Sequence, residues 1–388
     1  MSIIAALVGL LLIAIILVDA FETIVLPRRV TRRLRLSRVF FLSTWRVWVL
    51  VARAIGSGVD REGVGRRARL LGIYAPLAVL LLLALWATGL VVGFALLIWG
   101  VGGEVGTAHG HPSFGTILYM SGTTFFTIGF GDVTPHDAPG RLLAVAEGAT
   151  GFSFLAVIIG YLPIIFTAFA QRETSITLLD ARAGSPPSAA VLMSRVGRDG
   201  DGAALAGYLR EWERWSAELL ESHLSYPMLA LFRSQHENQS WLAALTLMLD
   251  VSALVIVGVG SPVDHRQHQA RLTFAIARHA VGDLCQVLNS PPLVSSPNRL
   301  PPSELERLRE RLALAGMPLR DGDEADRQLT ALRALYEPYV AALAARVQLA
   351  LPSWLPQPEA TDDWETTAWE WDPAVARAAI APPDPDPR

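Results

Sequence analysis

Six consecutive residues, Thr127-Ile128-Gly129-Phe130-Gly131-Asp132, carry the most distinctive chemistry in the chain. Two glycines alternate with two large apolar residues there. Such a segment can take up alternating backbone conformations, including positive φ, that residues with a Cβ resist. Its successive carbonyls can then face one axis and stand in for the water shell of a dehydrated cation. Thr127 adds a hydroxyl oxygen at the inner end, and Asp132 brings negative charge to the outer mouth. Ile128 and Phe130 point away from the axis, into packing that holds the oxygens. One such segment per chain means that a closed ring requires several chains.

The flanking segments must position this string. Leu71 to Trp99 reads as one membrane-length apolar helix, in which Gly89 and Gly93 suit close packing against another helix. Ser113 to Phe125 reads as a short uncharged helix opened by Pro112, its C-terminal end aiming partial negative charge at the string. Leu142 to Phe169 is a second long apolar helix. Within it Gly148, Gly151 and Gly160 allow bending or close packing, and Pro163 removes one backbone hydrogen bond. Gly151, Gly160 and Pro163 are therefore the gating candidates. Glu147 falls behind the string, either hydrogen-bonded there or facing outer water.

Thr127 to Asp132 resembles the selectivity filter of the potassium channel superfamily, whose signature is Thr-Val/Ile-Gly-Tyr/Phe-Gly-Asp. The resemblance spans roughly Leu70 to Ala170, a pore module of two transmembrane helices around a re-entrant loop. It implies a homotetramer with one axial pore, in which Thr127, Ile128, Gly129, Phe130 and Gly131 bind the permeant K+. Departures from the commonest pattern fall at Phe130, where Tyr is usual, and at Phe125 and Phe126, where smaller or hydroxyl side chains are usual.

Composition fits a chain of two regimes. Over 388 residues it is 52% hydrophobic, with mean hydropathy +0.36. Apolar stretches long enough to cross a bilayer cluster in the first ~170 residues. All 33 basic residues are Arg, and Cys285 is the single cysteine, so no intrachain disulfide forms. Twelve Arg stand against two acids between Pro27 and Arg69, whereas 20 Arg stand against 28 acids from Gln171 onward. A pore entered from the cytoplasm puts the Arg-rich stretch inside, as the positive-inside rule requires. Ile3 to Leu26 then crosses from outside to inside. It lacks the basic start and the small-residue site of a cleaved signal peptide. Asp19 and Glu22 share a face near its end and are expected to snorkel to the Arg28 to Arg33 cluster, the rival role being to sense protons or clamp the pore. Val39 to Ile55, with Trp45, Trp48, Arg46 and Arg53, is expected to lie in the headgroup layer.

Helical periodicity dominates from Gln171 onward, in Ala203 to Ser222, Ser240 to Val257, Pro262 to Leu288, Pro302 to Ala315 and Glu324 to Leu349. Trp241 to Val259 is apolar enough to raise a further span, but Asp250 at its centre points to a buried core helix. Other chemistry is weakly signalled. Gly258-x-Gly260 lacks the third glycine of a dinucleotide loop, His265, His268 and His279 lack cysteine or carboxylate company for a metal, and His223, Tyr226, His236 and Glu237 accompany no nucleophile motif.

The expected fold is an all-α membrane protein: a tetrameric pore module with an N-terminal transmembrane helix and a helical cytoplasmic domain. The divisions are 1–26, an N-terminal span; 27–69, Arg-rich and interfacial; 70–170, the pore; 171–351, the cytoplasmic helical domain; and 352–388, an acidic tail without packed order that docks, if at all, by its aromatics. The expected activity is passive potassium conduction in the cell membrane, not an enzyme's. K+ is the permeant ion, no organic cofactor is called for, and the partners are further copies of the chain and lipid, not nucleic acid. A weakly selective cation channel and a sensory or scaffold protein with a vestigial pore are the alternatives.

Overall fold

The computed structural model describes residues 3–26, 35–55, 61–102, 105–106, 113–196, 203–236, 238–259 and 264–356. The expected Arg28 to Arg33 cluster, Pro112, Gly260, Glu237 and the acidic stretch beyond Pro356 lie outside them. Of the described residues 79% are helical, with almost no sheet, so the all-α class holds. Among the described residues three helices are long and apolar enough to cross a membrane: Ile3–Val25, Gly65–Val101 and Ala138–Ala183. The chain divides into two compact units, 1–167 and 168–388.

The first unit opens with α1 (Ile3–Ala20), which continues as one wider turn, Phe21–Val25. After α2 (Leu36–Ile55) comes α3 (Arg61–Val101). α1 runs antiparallel to the C-terminal half of α3 at very close range. A Cβ on Gly9 would stand 2.5 Å from the Gly93 carbonyl oxygen and 2.7 Å from the Leu97 nitrogen, so the small residues let the backbones touch. α2 covers the other half of α3, also antiparallel: Tyr74 Oη lies 2.8 Å from Thr44 Oγ1, and Trp48 Nε1 donates to the Leu70 carbonyl at 2.9 Å.

Asp19 corrects one expectation. It does not snorkel but is 4% exposed, where α1, α2 and α3 meet. Its carboxylate accepts from the Ser37 N–H (2.9 Å), the Ser37 hydroxyl (3.0 Å) and Trp86 Nε1 (3.0 Å). Three donors compensate the burial, which makes Asp19 a clamp. Arg35 approaches Glu22 at 3.5 Å and Asp19 at 4.0 Å.

Past α3 a two-residue strand β1 (Val105–Gly106) pairs antiparallel with β2 (Thr134–Pro135), with α4 (Phe114–Phe125) between them in sequence. Then α5 runs unbroken from Ala138 to Ala183, through Pro163. A division at 170/171 therefore falls inside a helix. After Pro163 no glycine or proline interrupts the chain until Gly184, and Ile176, Leu179 and Ala183 carry its apolar face into the core of the second unit.

The second unit wraps α8 (Trp241–Val257), every residue of which is buried, as expected for a core helix rather than a span. Around it in sequence are α6 (Ala189–Val196), α7 (Ala203–Ser225), α9 (Asp264–Val287) and α10 (Pro302–Leu314). The expected helix Glu324 to Leu349 is two, α11 (Asp323–Ala334) and α12 (Glu337–Val347), because Pro338 suits only a first turn. Packed order also passes the expected boundary at Leu351. Trp354 is wholly buried, and its carbonyl accepts from the Ala190 N–H at 3.0 Å.

Candidate ion-conduction site

α4 starts with a satisfied cap, the Ser113 hydroxyl accepting from the Thr116 N–H at 3.2 Å. Its last turn anchors the glycine-containing string. Phe126 N–H bonds the Gly122 carbonyl (3.0 Å), Thr127 N–H the Thr124 carbonyl (3.0 Å), and the Ile128 and Gly129 N–H groups both reach the Thr123 carbonyl (2.8 and 3.2 Å). The helix end thus takes up the donors of the residues just beyond it. Among the described residues no carbonyl of 127–131 accepts a backbone hydrogen bond.

The backbone then alternates. φ is +56° at Thr127, +57° at Gly129 and +78° at Gly131, while Ile128 and Phe130 keep negative values. Such reversals of hand are what a segment needs if neighbouring carbonyls are to share a side instead of alternating as in a strand. Thr127 is the surprise. Positive φ costs an L-residue about 1–2 kcal/mol, and the bonds to α4 hold it there.

Around this string the structure brings together some expected residues and separates others. Asp132 is exposed and hydrogen-bonded with Tyr119 of α4, a partner thirteen residues away that sequence spacing did not suggest. Phe125 is 2% exposed, with ring centroids 5.3 Å from Phe126 and 5.8 Å from Phe154 of α5. Its bulk fills the contact between α4 and α5, which accounts for one departure from the common pattern. Ile128 and Phe130 are 54% and 69% exposed, so a single chain leaves more than half of each uncovered.

Residues 80–168 match a protein-family model described as an ion channel. The stretch is an ion-channel pore module. No curated protein and no solved structure matches the chain.

Within this pore module the three gating candidates differ. Gly151 is buried against the Phe125 carbonyl, whereas a Cβ on Gly160 would meet nothing within 4 Å in its own chain. Pro163 is exposed. Glu147 is fully buried, not facing outer water, and is hydrogen-bonded to Ser121 of α4.

The other candidate residues lie in the second unit, apart from Glu237 and Gly260, which are outside the described residues. No group of three or more His, Cys, Asp or Glu stands close enough to hold a metal among the described residues. His279 instead lies 3.5 Å from Asp283. His223, wholly buried, has Nδ1 2.8 Å from the Leu219 carbonyl and Nε2 3.3 Å from Arg172. Burial, then the Arg172 charge, lowers its pKa to about 3, against the pull of the Leu219 bond. An imidazole so confined and so reluctant to protonate suits no hydrolytic base. Burial likewise pushes the Cys285 thiol up to about 12, away from reactivity.

Proposed function

We propose that the chain is a potassium-selective channel in which four copies close the Thr127 to Gly131 oxygens around one axis. The observation that carries this reading is the run of three positive φ values at Thr127, Gly129 and Gly131 beside carbonyls that accept no backbone bond from the described residues. Carbonyls left without a donor are costly unless a cation or water replaces the missing donors. A cation held there bare of water meets about the same oxygen environment as its hydration shell, which is the basis of choosing K+ by its dehydrated size.

The apolar surface supports assembly. Ile128, Phe130, Val145, Phe152 and Ile159 are all more than half exposed in a single chain. Side chains of that size, next to a charged and hydrated path, need cover from neighbouring copies and lipid. Conduction is passive, and Asp132 enriches cations at the mouth. In this reading the N-terminus lies outside the cell membrane and the second unit in the cytoplasm, where the Arg-rich stretch also lies.

Gating belongs to the part of α5 beyond Gly151. Pro163 cannot donate to the Ile159 carbonyl, and a Cβ at Gly160 would meet nothing within 4 Å in its own chain, so bending there costs little packing. Bending at Gly151 would push on α4.

Reconstitution in liposomes tests the proposal. Wild-type chain should release potassium down its gradient, and reversal potentials in mixed sodium and potassium should follow potassium. Near-equal permeability of the two ions would refute selectivity, and no potassium flux at any pH or voltage would refute conduction. Pro163→Ala should alter open probability, and unaltered single-channel gating would move the gate elsewhere.

A further inference from the structure

We infer that Glu147 is a positioning residue of the pore: its carboxyl, acting as a hydrogen donor, locks α4 between α3 and α5 and so fixes the filter. The inference rests on the reading of the pore as a selective potassium path. Ser121, on α4, is 0% exposed, as is Glu147 on α5. The Ser121 hydroxyl lies 2.8 Å from the Val91 carbonyl of α3 and is hydrogen-bonded with Glu147 Oε1. Three helices therefore meet at one hydroxyl.

Counting hydrogens fixes the direction of the bonds. Ser121 has a single hydroxyl hydrogen, and the Val91 carbonyl can only accept. The hydrogen goes to Val91, and the bond to Glu147 takes its hydrogen from the carboxyl. Glu147 Oε2 is buried and has no partner among the described residues. As the carbonyl oxygen of an acid it is tolerable there, whereas one end of a buried carboxylate would lack every donor that burial of charge requires.

The link to the filter is short. Thr123, two residues beyond Ser121, is the residue whose carbonyl receives the Ile128 and Gly129 N–H groups. One turn past the Glu147–Ser121 bond, Gly151 abuts the Phe125 carbonyl. α5 thus grips α4 at two levels, and only the upper one is directional. Loosening it lets α4 slide or rotate along α5 and carries the anchoring carbonyl of Thr123 with it.

Four variants of the full-length chain test this: Glu147→Ala, Glu147→Gln, Ser121→Ala and the double Glu147→Ala/Ser121→Ala. Two readouts are needed, the K+/Na+ permeability ratio in planar bilayers and hydrogen exchange at the 127–129 amides of the purified chain. Loss of one buried hydrogen bond should lower the permeability ratio of Glu147→Ala about tenfold and speed that exchange by a similar factor. Glu147→Gln, whose amide can donate to the same hydroxyl, should stay within about twofold of wild type. Ser121→Ala should repeat the Ala defect, and the double variant should be no worse than either single. An unchanged ratio and exchange in Glu147→Ala, or a Gln variant as defective as the Ala variant, would overturn the inference. Should Glu147→Ala fail to assemble, the contrast between Glu147→Gln and Ser121→Ala decides in the same way. A wild type that does not discriminate potassium from sodium would sink the selectivity reading instead, and exchange at 127–129 would still decide the role of Glu147.

Discussion

Gly151 of α5 rests directly on the carbonyl of Phe125, the last residue of α4: a Cβ at 151 would overlap that oxygen and stand 2.8 Å from the carbonyl carbon. Backbone cannot yield there as a flexible side chain could. Gly151→Ala must therefore push α4 aside and move the bonds that anchor 127–129. The expected cost is about 1–3 kcal/mol, typical of overpacking, with ion flux reduced. Gly148→Ala is the control, because its Cβ would lie 3.8 Å from Thr124 Cγ2, an ordinary contact. Thermal unfolding in detergent should separate the two variants, and equal stability would contradict the contact.

Gly131→Ala isolates backbone conformation from packing. No atom lies within 4 Å of a Cβ built at Gly131, yet φ is +78°. An L-residue there costs about 1–2 kcal/mol, or escapes by turning the peptide plane and its carbonyl away from the common side. Assembly should survive and potassium flux should fall. A variant that conducts like wild type would separate conduction from the alternating backbone.

Local chemistry was legible in the sequence, and distant partners were not. Gly129 and Gly131 announce positive φ because glycine is the residue that adopts it freely, but Thr127 at +56° gives no such sign, being held by bonds to α4. The two-helix break at Leu335–Tyr336 could have been read from Pro338, and the length of α5 from the absence of any breaker between Pro163 and Gly184. By contrast, Trp86 as a partner of Asp19 and Ser121 as a partner of Glu147 lie 67 and 26 residues away. Only the packing of α1, α3, α4 and α5 brings them together, so sequence alone left both acids between a buried and a solvated role.

Asp250, at the centre of the apolar helix α8, tests how the second unit holds a buried charge. It is 0% exposed, pairs with Arg299 and accepts from the Tyr336 hydroxyl at 2.5 Å. Burial works against the Arg299 charge, yet Asp250 beside it outweighs this and holds the guanidinium above its usual range. Asp250→Leu removes that cation's nearest acid and leaves it Glu337 at 3.6 Å and the Pro352 carbonyl, so the cost should approach but not exceed about 3–5 kcal/mol. The double variant Asp250→Leu/Arg299→Met removes both charges and should recover much of the loss. Unfolding midpoints decide it, and a double variant no more stable than the single would show that the pair is not a coupled unit.

His223 predicts the acid response of the same unit. Its Nδ1–H is given to the Leu219 carbonyl, and its Nε2 lone pair faces the Arg172 guanidinium, so the ring is folded in neutral. Its pKa is about 3 in the fold against 6.5 for an ordinary histidine. Between those values the unfolded chain binds one proton that the folded chain does not. The stabilisation is therefore complete above pH 6.5 and is lost as pH falls towards 3, at about 1.4 kcal/mol per pH unit. His223→Gln cannot take up that proton in either state. Its unfolding free energy, measured on the full chain in detergent from pH 7 to 4, should fall less steeply than wild type by one proton's worth. Parallel slopes would mean that His223 is charged in the fold, which the guanidinium 3.3 Å from its Nε2 makes the costliest arrangement available.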